Sequence, residues 1–136
     1  MRIFLDANVL FSAAKSDGAV RELLTWLMEA EHECCADGYV AEEARRNLAA
    51  KAPDSLPFLE ALLARIHMAA AQPRQATLQA TLAIPEKDRP VLAAAIRLKC
   101  DVLVTGDRTH FGAFYGKTLG GVTIHSPRSL AKNLFL

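Results

Sequence analysis

The fold is decided by the stretch Val102-Leu103-Val104-Thr105-Gly106-Asp107. An apolar and β-branched run that stops abruptly at Gly and Asp is typical of a buried strand that ends in a turn. The residues before this strand predict a helix, which opens at residues 85–90 and buries a stripe formed by Val91, Leu92, Ala95 and Ile96. After the strand, Gly120-Gly121 predicts a turn into a last strand at residues 122–124, and Ser126-Pro127 predicts the start of a C-terminal helix.

The N-terminal half shows the same alternation of strand and helix. Strands are predicted at residues 2–5, where an apolar run ends in Asp6, and at residues 33–36. Helices are predicted at residues 18–31, from Asp37 to a point before Pro53, and at residues 58–66, with Asp17, Asp37 and Asp54 as their N-terminal caps. Residues 66–70 either close the third of these helices or form another strand.

Strands that alternate with helices over the whole length predict a mostly parallel sheet with both faces covered. The expected fold is α/β, a three-layer α/β/α sandwich around a central sheet of about five strands. A chain of 136 residues is long enough for one such domain, residues 1–136. The polar connection Gln72-Pro73-Arg74-Gln75 is too short to link two domains.

Charge and composition exclude several classes of protein. The 16 Lys and Arg residues nearly balance 15 Asp and Glu residues, so the surface as a whole is not built for bulk binding of nucleic acid. No apolar run approaches the roughly 20 residues of a membrane span, and Asp6 interrupts the apolar start, which is unlike a secretion signal. The expected location is the cytoplasm, without a membrane, and the cysteines are expected to be reduced core thiols.

Acids that are far apart in the sequence are predicted to meet at one edge of the sheet. Asp6 and Asp107 follow the carboxyl ends of two strands, and Asp88 lies at the amino end of the helix that leads into the second strand. The pair Glu42-Glu43 lies in the early turns of the helix that follows the strand at residues 33–36. Because open α/β sheets bind ligands outside the carboxyl ends of their strands, these acids predict a binding site there.

Of the two adjacent acids, Glu43 is the better candidate for this site. The buried face of its helix is centred on Val40, Ala44 and Leu48. On a helical wheel, Glu43 lies about 100° from the centre of that face and Glu42 about 160° from it. We therefore expect Glu42 to point to solvent.

Carboxylates that are held close together repel each other unless a cation compensates them. Oxygen ligands suit Mg²⁺ or Mn²⁺, and a pair of such ions about 3.5 to 4 Å apart is typical of displacement at a phosphodiester. Taken singly, Asp88 is equally well explained as a helix cap, Asp107 as a turn residue and Glu43 as a solvated helix residue. Asp6 is harder to explain in this way, since it interrupts the end of an apolar strand. Together these acids predict a metal-dependent site.

Four segments of the chain match, in order and in spacing, the motifs of a known family. They are Ile3-Phe4-Leu5-Asp6-Ala7-Asn8-Val9-Leu10, Val40-Ala41-Glu42-Glu43-Ala44, Asp88-Arg89-Pro90-Val91-Leu92-Ala93-Ala94-Ala95 and Asp101-Val102-Leu103-Val104-Thr105-Gly106-Asp107. The sequence resembles PIN domains, in particular the small bacterial and archaeal members that act as toxins of toxin–antitoxin pairs. The match extends from Met1 to the helix start at Ser126-Pro127.

This resemblance implies a ribonuclease that depends on Mg²⁺ or Mn²⁺. The residues that it implies as metal ligands and catalytic groups are Asp6, Glu43, Asp88 and Asp107. It implies an accessory role for Asn8 and Thr105, which would orient a carboxylate or a water molecule. The basic residues close to the acids in sequence are candidates for contacting a single-stranded RNA backbone, and they are Arg45, Arg46, Arg89 and Arg108.

The resemblance also implies an antitoxin protein as a partner. The apolar faces of the helices at residues 18–31 and 58–66 are large enough to predict a homodimer or a partner helix as well. An aspartate-nucleophile phosphatase is a weaker alternative, because such an enzyme needs a second aspartate where this chain has Asn8. A non-catalytic PIN-fold module that binds RNA or protein, and a housekeeping PIN nuclease without an antitoxin, remain open alternatives.

Overall fold

Six strands form one sheet in the computed structural model, which describes residues 1–71 and 79–136. Their bounds are β1 Arg2–Leu5, β2 Glu33–Asp37, β3 His67–Ala69, β4 Val102–Val104, β5 Thr118–Leu119 and β6 Val122–His125. The sheet order is β3-β2-β1-β4-β6-β5, with every pairing parallel except that of β5 with β6. The predicted α/β fold with a mostly parallel central sheet is therefore confirmed. The Gln72-Pro73-Arg74-Gln75 connection lies outside the described residues.

The α-helices of the described residues occupy the segments between the strands. Their bounds are α1 Ala7–Lys15, α2 Ala19–Glu29, α3 Gly38–Lys51, α4 Leu56–Arg65, α5 Arg89–Arg97, α6 Arg108–Phe111 and α7 Pro127–Phe135. A short 3-10 turn, Glu86–Asp88, leads directly into α5. Helix α1 packs against α2, α3 and α4, whereas α5 packs against β4 and β6. The sheet thus forms the middle layer of the predicted sandwich.

The chain reverses its direction of travel across the sheet at β1. From β1 it proceeds to β2 and then β3 on one side, and it returns to β4 on the other side of β1. In parallel α/β sheets such a point, where neighbouring strands continue in opposite directions, leaves a crevice at their carboxyl ends. The carboxyl ends of β1 and β4 are therefore the place where the topology alone predicts a binding site.

Helix α1 is the element that sequence analysis did not predict. The apolar residues after Asp6 continue the apolar pattern of β1, so strand and helix cannot be separated by periodicity alone. The Asp6 carboxylate accepts a hydrogen bond from the Ala7 backbone N–H and begins the helix there. Val9, Leu10 and Ala13 are buried against the core as a result.

Two of the three predicted aspartate caps are wrong. Helix α2 begins after Gly18, without a side-chain cap, so Asp17 does not fill that role. Asp54 lies inside a 3-10 turn, Pro53–Ser55, and the residue before α4 is Ser55. Asp37 does cap α3, through a hydrogen bond from the Val40 backbone N–H, and the predicted Ser126 cap of α7 is also present.

Of the two alternatives for residues 66–70, the structure shows a strand. Helix α4 ends at Arg65, and residues His67–Ala69 form β3, which pairs with β2. The last two strands, β5 and β6, form a hairpin whose turn contains Gly120 and Gly121, both with positive φ. Glycine suits that turn because a side chain would be strained there. The cysteines Cys34, Cys35 and Cys100 are buried and unpaired, as expected.

Candidate metal-dependent active site

A polar cleft lies at the carboxyl ends of β1 and β4, at the reversal point of the sheet. Its volume is about 220 Å³, smaller than the roughly 300–1,000 Å³ of ordinary small-molecule pockets. Its lining residues are Asp6, Ala7, Asn8, Tyr39, Glu43, Asn47, Lys87, Asp88, Val91, Asp107 and His110. All four acids predicted from the sequence are among them, although they come from four separate segments of the chain.

Asp6 is the most deeply buried of these acids, with 6% of its surface exposed. The pKa of its carboxyl group is raised to about 6, chiefly by burial and to a smaller extent by the nearby Glu43 and Asp88 carboxylates. Hydrogen bonds from the Thr105 hydroxyl and the Ala7 backbone N–H act in the opposite direction. The neighbouring protein groups thus compensate the charge of the Asp6 carboxylate incompletely.

Thr105 and Asn8 join the end of β4 to the start of α1 through the Asp6 side chain. The Thr105 hydroxyl donates to Asp6 Oδ2 at 2.8 Å, and Asn8 Nδ2 lies 3.3 Å from both Asp6 Oδ2 and Thr105 Oγ1. Asn8 Oδ1 accepts the Gly106 backbone N–H at 2.8 Å. A Cβ atom on Gly106 would lie 3.3 Å from Asn8 Oδ1, so glycine permits this close approach. The network holds the Asp6 carboxylate in one orientation.

Asp88, Asp107 and His110 form a second part of the cleft. Asp107 caps α6, since its Oδ1 accepts the His110 backbone N–H at 3.1 Å. The turn of α6 brings His110 Nδ1 back to within 2.7 Å of Asp107 Oδ2, and the same nitrogen lies 3.1 Å from Asp88 Oδ2. Burial and the nearby Asp107 carboxylate raise the pKa of Asp88, while His110 and Lys87 oppose this shift.

Helix α3 presents Glu43, and not Glu42, to the cleft. Glu43 is half-buried and lines the cleft, whereas Glu42 is exposed and lies 3.9 Å from the Arg45 guanidinium. Tyr39, one turn before Glu43, also lines the cleft. The pKa of its phenol is raised by burial and by the Glu43 and Asp88 carboxylates. The geometry thus agrees with the helical-wheel expectation for the adjacent acids.

The four candidate arginines differ in what they contact. Arg45 forms a two-point ion pair with Glu60, at 2.8 and 2.9 Å, and Arg89 binds backbone carbonyl groups of Thr81 and Ile84. Arg46 and Arg108 are exposed. The guanidinium groups of Arg45 and Arg89 therefore have partners within the chain, and the two exposed arginines are the stronger candidates for contact with RNA.

The donor set fits a divalent cation. Within the described residues, Asp88, Asp107 and His110 offer ligand atoms that all lie within 4.8 Å of one another. The Asp88 Oδ2 atom is buried and accepts no hydrogen bond, although His110 Nδ1 lies 3.1 Å from it, and the same nitrogen lies closer, at 2.7 Å, to Asp107 Oδ2. A buried carboxylate oxygen without a donor is costly unless a cation compensates it.

Four polar residues that line the cleft were not predicted from the sequence as site residues. Tyr39, Asn47, Lys87 and His110 do not belong to the acidic pattern from which the site was predicted. Three of them could have been found by position, since Tyr39 and Asn47 lie one helical turn on either side of Glu43 and Lys87 precedes Asp88. The spacing of His110 three residues after Asp107 is a weaker signal, because it requires that a helix begins at Asp107.

Comparison with known proteins agrees with this arrangement. The family model for the PIN domain matches residues 2–109, which include every acid of the cleft. The chain belongs to the PIN domain family. It is also similar in structure to a chain in the crystal structure of VapBC2 from Rickettsia felis bound to a DNA fragment from their promoter. The TM-score is 0.64 and the sequence identity 14%, over 93% of this chain and 98% of the other.

No curated protein matches this chain in sequence. The PIN domain assignment therefore depends on the family match, while the similarity to the VapBC2 structure, at such low identity, bears on the fold. Within the described residues, no helix is long and apolar enough to cross a membrane.

Proposed function

We propose that this PIN domain is a ribonuclease that depends on Mg²⁺ or Mn²⁺ and acts in the cytoplasm as the toxin of a toxin–antitoxin pair. The observation that carries the proposal is the convergence of Asp6, Glu43, Asp88 and Asp107 on one cleft. Four carboxylates in one cleft repel each other unless a cation compensates their charge, and carboxylate oxygens are ligands that suit hard divalent cations. The VapBC2 similarity supports the choice of a toxin within the family.

The four carboxylates would hold the cation, and the surrounding residues would position them. When bound, a divalent cation neutralises charge on a phosphodiester and makes a water molecule more acidic. Thr105 and Asn8 keep the Asp6 carboxylate in place through their hydrogen bonds. Arg46 on α3 and Arg108 at the start of α6 supply positive charge for a phosphate backbone.

Cleavage of a labelled single-stranded RNA by the purified chain tests the catalytic part of the proposal. We expect cleavage with Mg²⁺ or Mn²⁺, none with EDTA, and a loss of about a hundredfold or more in Asp6→Asn, which removes a charged ligand. Asp17→Asn is the matched control, because Asp17 is an exposed acid outside the cleft. Full activity of Asp6→Asn would contradict the assignment, and equal cleavage of single-stranded DNA would contradict the choice of RNA.

Growth of cells that express the chain tests the toxin part. We expect expression to arrest growth, Asp6→Asn to be harmless, and co-expression of the protein encoded by the adjoining reading frame to restore growth. An acidic cleft is a suitable receptor for an Arg-bearing segment of such a partner, since guanidinium groups pair well with carboxylates. Cleavage of RNA in vitro without any effect on growth would favour a housekeeping nuclease.

A further inference from the structure

We propose that His110 is a nitrogen ligand of a divalent cation that it holds together with Asp88 and Asp107, and that it shifts the preference of the cleft from Mg²⁺ towards Mn²⁺. This inference rests on the proposed function, since it concerns the same cleft. It goes further in assigning a ligand outside the acidic set and a choice of metal.

The position of His110 is fixed by the local backbone. Asp107 begins α6, and its Oδ1 atom holds the His110 backbone N–H at 3.1 Å. Phe111, the next residue, is fully buried in the core, so the short helix cannot rotate freely. The imidazole therefore lies over the cleft, with Nδ1 between Asp107 Oδ2 at 2.7 Å and Asp88 Oδ2 at 3.1 Å.

This nitrogen cannot satisfy both carboxylates by hydrogen bonding. Imidazole carries at most one proton on Nδ1, and that proton can be directed at only one of the two oxygens. Asp88 Oδ2 is the atom left without a donor, although its surroundings exclude water. A cation in place of the proton would bind the lone pair of Nδ1 and one oxygen of each carboxylate at the same time.

The type of ligand determines the metal that is favoured. Mg²⁺ takes oxygen ligands almost exclusively and keeps much of its water, whereas Mn²⁺, although it also takes carboxylates, accepts an imidazole nitrogen more readily than Mg²⁺ does. Asp6 and Glu43 line the same cleft and add further carboxylate oxygens. A mixed set of carboxylates and one imidazole should therefore bind Mn²⁺ more tightly than Mg²⁺, and the margin should depend on His110.

Electron spin echo spectroscopy of the purified chain loaded with Mn²⁺ tests the inference without any mutation. A coordinated imidazole imposes ¹⁴N modulation on the Mn²⁺ signal, and growth on ¹⁵N-histidine should convert that modulation to ¹⁵N. Mn²⁺ that is bound without nitrogen modulation would overturn the proposal.

Calorimetry with matched variants tests the choice of metal. His110→Asn keeps an amide that can still donate to Asp107, so it separates a ligand from a residue that only orients Asp107. We expect its Mn²⁺ affinity to fall by about tenfold or more, with little change for Mg²⁺. His67→Asn is the control, because His67 is an exposed histidine on β3 that does not line the cleft. Equal losses for both ions in His110→Asn, or none for either, would overturn the proposal.

The RNA cleavage assay separates failure of this inference from failure of the proposed function. Nitrogen modulation in a chain that cleaves no RNA leaves His110 as a ligand and removes the nuclease proposal. Metal-dependent cleavage without nitrogen modulation removes His110 as a ligand and leaves the nuclease proposal in place. A chain that binds no Mn²⁺ overturns both.

Discussion

Among single residues, the buried Asp6 of the cleft has a strongly raised pKa. Its carboxylate is buried and accepts hydrogen bonds, yet its pKa is raised from 3.8 to about 6. The folded protein thus binds the proton more tightly than the unfolded chain does. Between these two pKa values, the free energy of unfolding falls as the pH rises, and the loss is complete above the higher value. The charged form costs the metal-free protein about 3 kcal/mol near neutral pH.

Replacement of this carboxylate should therefore stabilise the metal-free protein. In EDTA, we expect Asp6→Asn to raise the free energy of unfolding by about 1 to 3 kcal/mol at about pH 7.5, and by less at about pH 5, where part of the wild-type group is protonated. Urea unfolding at both pH values measures the difference. Asp17→Asn should change little at either pH. A variant that is less stable than the wild type at both values would show that the hydrogen bonds of Asp6 outweigh its desolvation.

At the scale of the element, helix α3 separates two adjacent acids by its orientation. Val40, Ala44 and Leu48 are fully buried and fix the rotation of the helix. Glu43 then lies at the boundary of the buried face and reaches the cleft, whereas Glu42 points to solvent beside Arg45. Two residues of the same chemistry are given different surroundings by about 100° of helical rotation.

Paired substitutions in α3 should separate the two acids in function. We expect Glu43→Gln to lower metal-dependent cleavage by about tenfold or more, because it removes a ligand charge from the cleft, and Glu42→Gln to keep most of the activity. Initial rates at saturating and at limiting Mn²⁺ measure the effect. The first variant should be partly rescued at high Mn²⁺ if it is folded. The opposite ranking of the two variants would overturn the placement of α3 against the site.

At the scale of the whole molecule, α2 and α4 leave large aromatic rings partly outside the core. Leu23, Leu24 and Leu27 of α2 are buried, while Trp26 is 37% exposed. Phe58 of α4 is 39% exposed, and the Arg21 guanidinium covers its ring at 3.7 Å. Most of the apolar surface of both helices is therefore used within the chain. What remains supports a small interface rather than an extensive one.

We expect the purified chain to form a homodimer that dissociates on dilution. Trp26 is the sole tryptophan of the sequence, so its fluorescence reports on the surface where α2 meets Phe135 of α7. Light scattering should give about twice the chain mass of 14.8 kDa at high concentration. Dilution should lower this mass and shift the Trp26 emission to the red as the ring becomes exposed to water. A mass of one chain at every concentration would contradict the prediction.

Much of this architecture could be predicted because it depends on local patterns. A few consecutive residues are enough to indicate the buried runs of β1 and β4, the apolar stripe of α5 and the Ser126 cap of α7. Helix α1 was not predicted because the residues after Asp6 are mostly apolar, like those of β1 before it, so that composition does not mark the change from strand to helix. The caps at Asp17 and Asp54 were wrong because a capping residue type specifies only that a turn is nearby; the residues that directly precede α2 and α4 are Gly18 and Ser55.

Strand ends and helix starts fix the edge of the sheet on which a residue lies, so the position of the four acids at the carboxyl edge follows from the sequence. Which side chains meet within that edge depends on tertiary packing. His110 contacts Asp88, which lies 22 positions earlier in the sequence, and the Thr105 hydroxyl donates a hydrogen bond to Asp6. The Arg45 guanidinium pairs with Glu60 and not with the cleft. Such contacts depend on the packing of α3, α5 and α6 against the sheet and on side-chain rotation. The periodicity of a sequence indicates which face of a helix or strand is buried, but it does not specify distances between side chains of different elements.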